Sequence, residues 1–126
     1  MSLESSGAKP SESLKGDIWW IALDPTEGSE MKKTRRCVII SSDSINFTSP
    51  VRLVVPLTEW KRTKESCLWC ITVDPTPKNG LTKKTVADTL QTRCVSIERF
   101  KEKSGVISAE IMEETIAALA ALIEYE

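Results

Sequence analysis

The sequence predicts a mainly β domain with one helix: five or six short strands forming a small, strongly bent barrel or sandwich. Three observations carry this expectation. Short runs of branched and aromatic residues recur from Ile18 to Ile97, punctuated by Pro, Gly and Asn turn signals. Helical spacing of apolar residues enters only after Ser108. The length of 126 residues suits one modest core and not two.

In order along the chain, residues 1–14 are mostly Ser, Glu, Lys and Gly and read as a disordered tail, leaving 15–126 as the domain. They lack the apolar core of a secretory signal, and no apolar run approaches the roughly 18 residues that span a bilayer. A cytoplasmic protein without a membrane partner is expected. Gly16-Asp17 introduces Ile18-Trp19-Trp20-Ile21-Ala22-Leu23, a strand by its aromatic and branched content, with Trp19 and Trp20 on opposite faces. Asp24-Pro25-Thr26-Glu27-Gly28 breaks it, because Pro cannot donate to a ladder. A polar, basic loop from Gly28 to Arg36 follows, then a strand to Ser41, a polar connection over Ser42 to Pro50, and a strand from Val51 to Thr58.

A second basic loop, Glu59 to Ser66, precedes Cys67-Leu68-Trp69-Cys70-Ile71-Thr72-Val73, read as a strand ending at the Pro- and Asn-Gly-rich turn 74–80. Thr85 to Ile97 is a further extended stretch, in which Gln91 and Arg93 lie two apart and share a face. Ser108 can cap a helix whose apolar positions are Ile111, Thr115, Ile116, Leu119, Leu122 and Ile123. Glu110, Glu113 and Glu114 suit the positive end of its dipole.

Composition narrows the chemistry. Net charge is −1, which excludes a globally basic nucleic-acid binder. The cations are clustered instead: Lys32, Lys33, Arg35 and Arg36; Lys61, Arg62 and Lys64; Lys83 and Lys84. Taken singly these are solvated loop charges; in loops that face one another they would form a groove for a phosphate backbone. The chain has four cysteines and no histidine. Residues three apart on a strand point to opposite faces, so the Cys67/Cys70 pair reads as reduced core cysteines, with no metal site. Without imidazole, phosphodiester chemistry falls to other groups. Arg35, at the base of the first basic loop, and Thr58, at the end of the next strand, can meet around a phosphate: one supplies a permanent charge and a fork of donors, the other a neutral hydroxyl.

The order of these segments resembles the MazF/PemK/Kid family of toxin endoribonucleases. The matching residues are Gly16-Asp17-Ile18-Trp19, Leu23-Asp24-Pro25, Gly28-Ser29-Glu30, Arg35 before Val38-Ile39-Ile40, Val54-Val55-Pro56-Leu57-Thr58, Gln91-x-Arg93 before Val95, and a C-terminal helix. The resemblance covers about residues 15–124. It implies an SH3-like, PemK-type barrel acting as a homodimer, and sequence-specific, metal-free cleavage of single-stranded RNA, mRNA especially. The partner it implies is an antitoxin whose disordered C-terminal segment blocks the RNA groove. By position Arg35 is the family's catalytic arginine and Thr58 the threonine that works with it. Gly28, Ser29 and Glu30 match the family's loop that closes over RNA, and Gln91 and Arg93 the strand that lines its groove.

The chain departs from the family pattern at Met31-Lys32-Lys33, where Gln-x-Gly is usual, and at Arg36, where proline is usual. It departs again at Leu90, where an acidic residue is common; Asp88, two positions earlier, is expected on the same face. Lys32 and Lys33 would add backbone attraction, and Trp60, beside the second basic loop, is the stacking candidate for bases. Trp69 is expected to pack in the core. The carboxylates near the matched positions, Glu30 and Asp88, stand with water as candidates for the general base. Two other readings share the fold: a CcdB-type gyrase inhibitor, whose C-terminal Trp-Gly-Ile is replaced here by Leu122-Ile123-Glu124-Tyr125-Glu126, and a family member that binds RNA or antitoxin without cutting.

Overall fold

The computed structural model describes residues 7–23 and 34–125. They form seven strands and a C-terminal helix: β1 (Asp17–Ala22), β2 (Thr34–Ile39), a single helical turn α1 (Asp43–Asn46), β3 (Val51–Glu59), β4 (Cys70–Val73), β5 (Thr85–Asp88), β6 (Arg93–Ser96), β7 (Phe100–Val106) and α2 (Ala109–Leu122). All pairings are antiparallel, in the order β4-β5-β3-β2-β1-β7, with β6 also on β3. The expected antiparallel fold and C-terminal helix are present. Closure of a barrel is not seen among the described residues, since β4 and β7 do not pair. The turn after β4 lies against β7 instead. Val106 donates to the Lys78 carbonyl at 2.9 Å, and a β-carbon on Gly80 (φ +72°) would collide with the Ser104 carbonyl.

Strand alternation divides the core. Ile18, Val38, Ile40, Val55 and Leu57 belong to one cluster, which α2 covers with Ile111, Met112, Ile116 and Leu119. Trp19, Ile21, Leu23, Cys37, Ile39 and Val54 turn the other way and meet Val95 and Phe100. The Ser108 hydroxyl accepts from Ile111 N at 3.1 Å, capping α2 as expected. Ile123, assigned to the apolar face, is 70% exposed because the helix ends at Leu122.

Several elements differ from expectation. Residues 85–97 are two strands, not one: a 3₁₀ turn at Thr89–Gln91 separates β5 from β6, and each pairs with a different part of β3. Phe100–Val106 is a strand that the sequence hides behind charged residues; it pairs with β1 through two register shifts. The strand carrying the cysteine pair starts only at Cys70. Cys67–Trp69 forms a turn, with Cys70 N donating to the Cys67 carbonyl, and Cys67 and Cys70 are joined by a disulfide. The turn, absent from an extended reading, brings together sulfurs that a strand would hold apart. Both cysteines are half-buried, as is Trp69, which therefore is not core. The free cysteines are Cys37, buried, and Cys94, exposed.

Residues 7–14, read as part of a disordered tail, lie on the domain. Pro10–Glu12 forms a 3₁₀ turn and Ser13 is buried. The anchor is Arg52 on β3, itself 1% exposed. Its Nε donates to Ser13 Oγ at 3.0 Å, Nη2 to the Ser11 carbonyl at 3.2 Å, and Nη1 to the carbonyls of Ser49 and Val51 at 2.8 and 3.0 Å. Replacing it strands these acceptors. Arg52→Met is expected to lower the unfolding free energy by about 2–4 kcal/mol, read as a fall in urea midpoint at constant m.

Candidate active site

The register of β2 and β3 pairs Cys37 with Pro56, Val38 with Val55 and Ile39 with Val54. Extended two residues toward the strand ends, it sets Arg35 opposite Thr58, where the ladder has stopped and the strands leave room between them. Arg35 shares the face of Cys37 and Ile39, and Thr58 that of Val54 and Pro56. Both therefore stand where the second core cluster runs out.

The opening there is a cleft of about 310 Å³ lined by Leu23, Arg35, Pro56, Thr58, Asp88, Gln91 and Arg93. The structure thus brings Arg35, Thr58, Asp88, Gln91 and Arg93 to one place. Two smaller clefts adjoin it on Arg35 and Thr58. One, of about 240 Å³, adds Glu59, Lys61 and Lys64; the other, of about 180 Å³, adds Trp20, Arg36 and Lys83. Lys61, Lys64 and Lys83 were read only as members of basic clusters, and the facing of those loops is what makes a cationic groove. Gly28, Ser29, Glu30, Lys32 and Lys33 lie outside the described residues.

Each side chain has a local reason for its position. Thr58 pairs with Val86 on β5. Among the described residues its buried Oγ1 has no hydrogen-bond partner. The Arg35 guanidinium likewise has none. Arg93 donates to the Leu23 carbonyl at 3.2 Å and Arg99 to that of Ala22 at 3.4 Å, so two arginines fix the end of β1 beside the cleft. Asp88 ends β5, and its Oδ1 accepts from Leu90 N at 3.2 Å, starting the 3₁₀ turn that carries Gln91.

One expectation fails here. Residues 89–91 are helical in pitch, so Leu90 does not share a face with Asp88: it lines a separate apolar groove with Leu53, Leu119 and Leu122. Trp60 lies outside the clefts and is stacked by Lys84, 4.7 Å from the ring centroid. Arg36, beside Arg35 but on the other face of β2, stacks on Trp20 at 4.7 Å and donates to the Gly80 carbonyl.

Cys37, two residues from Arg35 on the same face of β2, is a buried free thiol. Burial pushes it up to about 12 from an ordinary 9.0, against the opposing pull of Arg93 and Arg35. It is a neutral core thiol, with no nucleophilic role. Among the described residues no group of acidic, cysteine or histidine side chains could hold a metal ion.

Fold and cleft together define a small β-domain with a histidine-free cleft lined by Arg35 and Arg93 and adjoined by Lys61, Lys64 and Lys83. The chain matches, over residues 14–123, the family described as the PemK-like, MazF-like toxin of type II toxin-antitoxin systems. It is 30% identical over 110 residues to endoribonuclease MazF9 of Mycobacterium tuberculosis, covering 83% of this chain and 91% of that protein. It is 24% identical over 116 residues to endoribonuclease PemK of Escherichia coli, covering 91% and 85%. Among solved structures, a MazE-MazF complex from Deinococcus radiodurans superposes with a TM-score of 0.73 at 16% identity, covering 90% of this chain and 97% of that one. The chain belongs to the PemK/MazF toxin family.

The Cys37 environment makes a direct prediction. Iodoacetamide at pH 8 should label Cys94 readily and leave Cys37 unmodified in the folded protein, read by peptide mass. The folded thiol holds its proton above the pH at which the unfolded one loses it, so this residue's contribution to stability falls as pH rises above 9.0.

Proposed function

We propose that this protein is the toxin of a toxin-antitoxin pair, a metal-independent endoribonuclease that cuts single-stranded RNA, mRNA above all, at specific sequences in the cytoplasm. The observation that carries the reading is the meeting of Arg35 and Thr58 in one cleft, each with its polar group unpartnered among the described residues. A buried hydroxyl without a partner costs free energy that a phosphoryl oxygen in the cleft would recover. Family membership and the endoribonuclease relatives support the same conclusion.

The reaction follows from these groups. The 2′-hydroxyl of one nucleotide attacks the adjacent phosphorus; its proton goes to a base, the bond to the 5′-oxygen breaks, and the products are a 2′,3′-cyclic phosphate and a 5′-hydroxyl. Arg35 stabilises the charge that grows on the non-bridging oxygens, a role worth about 3–4 kcal/mol for a single well-placed donor. Thr58 donates to one of those oxygens and fixes the phosphate. Asp88 lines the cleft with one carboxylate oxygen engaged by Leu90 N. Its position in the cleft supports Asp88 as the acceptor of the 2′ proton, with Glu30 or water as the other candidates. Gln91 and Arg93 line the path of the RNA, and Gly28, Ser29, Glu30, Lys32 and Lys33 join them in binding it, as the family match by sequence implies. The working form is a homodimer and its inhibitor an antitoxin peptide; an endoribonuclease of similar fold was solved in complex with its cognate antitoxin, which supports the second point.

Three substitutions test this on one synthetic single-stranded RNA of mixed sequence in EDTA. Arg35→Ala should lower cleavage by roughly 10²–10³-fold with an unchanged circular dichroism spectrum. Thr58→Val should cost about tenfold in rate and leave the urea midpoint level or higher, since it removes an unsatisfied hydroxyl. Asp88→Asn keeps an acceptor for Leu90 N and should slow cleavage by roughly 10²-fold with the fold unchanged. Full activity in Arg35→Ala would remove the mechanism.

A further inference from the structure

The Cys67–Cys70 disulfide has no part in the chemistry above, yet it touches the segment that builds the cleft wall. The Trp69 carbonyl, inside the four-residue loop that the disulfide closes, accepts two hydrogen bonds from Thr89: from its amide at 3.2 Å and from its hydroxyl at 2.7 Å. Cys70 itself is the register partner of Asp88. Thr89 is 1% exposed and opens the turn that ends in Gln91. Asp88 and Gln91 both line the cleft with Arg35 and Thr58. The bond and the wall are thus one hydrogen bond apart. The loop is also reachable: both cysteines are half-buried and Leu68 between them is 89% exposed.

We propose that Cys67 and Cys70 form a thiol–disulfide exchange site for a dithiol reductant, whose redox state sets the order of the Asp88–Gln91 wall. The consequence for RNA cleavage rests on the function proposed above. A thiolate of the reductant attacks one sulfur to give a mixed disulfide, and the other cysteine leaves as a thiolate. The reductant's second thiol then attacks its own sulfur in the mixed bond, releasing the first cysteine. Two electrons and two protons pass to the protein, and the reductant leaves as its cyclic disulfide. Among cytosolic proteins, disulfides are mostly of this transient or sensing kind. Once reduced, the 67–70 turn regains its freedom and holds the Trp69 carbonyl against Thr89 less firmly. Cross-linking a four-residue loop changes its closure equilibrium by roughly 20-fold in the chain-entropy estimate.

The test compares the full chain equilibrated with reduced or oxidised dithiothreitol. Thiols counted after denaturing quench should be four in the first and two in the second. Exchange of the Thr89 amide should quicken by roughly tenfold on reduction, and RNA cleavage should slow by roughly fivefold to twentyfold, within the range that the loop equilibrium allows. The Cys67→Ser/Cys70→Ser variant should match the reduced protein and ignore reductant; should it fail to fold, the wild-type comparison decides alone. Four thiols in both states, or equal Thr89 exchange in the two, would overturn the proposal. Protein that cuts no RNA in either state would remove the proposed function instead, with the thiol count and Thr89 exchange still deciding the redox site.

Discussion

The structure turns on the change of partner along β3. Its residues 51–54 pair with β6, its residues 54–56 with β2, and its residues 57–59 with β5. Two strands from opposite ends of one segment share a single edge of β3, so the chain between them must cross at the fork. That crossing is residues 88–93, and the cleft is the fork itself. Val54 and Val55 are each wholly buried in a different core cluster, which locks the face of every residue on the strand. A one-residue slip would turn Thr58 away from Arg35 and send each valine into the other's cluster, so core packing and the pairing of the two polar groups favour one register.

The same alternation sorts the cations. Arg35 and Arg36 are neighbours in sequence with separate duties: Arg36 spends its guanidinium on Trp20 and the Gly80 carbonyl, while Arg35 faces the cleft without a partner among the described residues. Lys84 sits on Trp60, and Lys83 lines a cleft with Arg35. A chain of net charge −1 can therefore present a locally positive groove. Burial keeps the nearby Cys37 thiol neutral, so no thiolate offsets the arginines.

The sequence made legible what periodicity and strong turn residues report. The strands around Ile18, Val38 and Val54 emerged because consecutive apolar residues there fill both faces of a sheet, and α2 because its cap and spacing agree. What stayed hidden depended on contacts remote in sequence. β7 carries Lys101, Glu102 and Lys103, which suits an edge strand and masks its pairing with β1. The 67–70 turn is read as strand because Cys, Trp and Ile have extended preferences, and the closure that overrides them is a covalent bond. Ser11 and Ser13 gave no sign of order, since the group that orders them is the buried guanidinium of Arg52, 41 and 39 residues away. Arg35 and Thr58 were found from residue chemistry and family order; their meeting is a consequence of register.

Leu90 shows how one position can depart from a family pattern without reaching the groove. In an extended strand, Asp88 and Leu90 would project together, and a leucine there would blunt the cleft. The 3₁₀ turn rotates successive side chains by about a third of a circle, so Asp88 and Gln91 fall on one side and Leu90 on the other. Leu90 is 57% exposed and meets Leu53, Leu119 and Leu122 in an apolar groove at the end of α2. Its exchange for an apolar residue therefore acts on the surface behind the wall. The acidic group that lines the cleft, Asp88, stands two residues earlier and accepts from the amide of Leu90 itself.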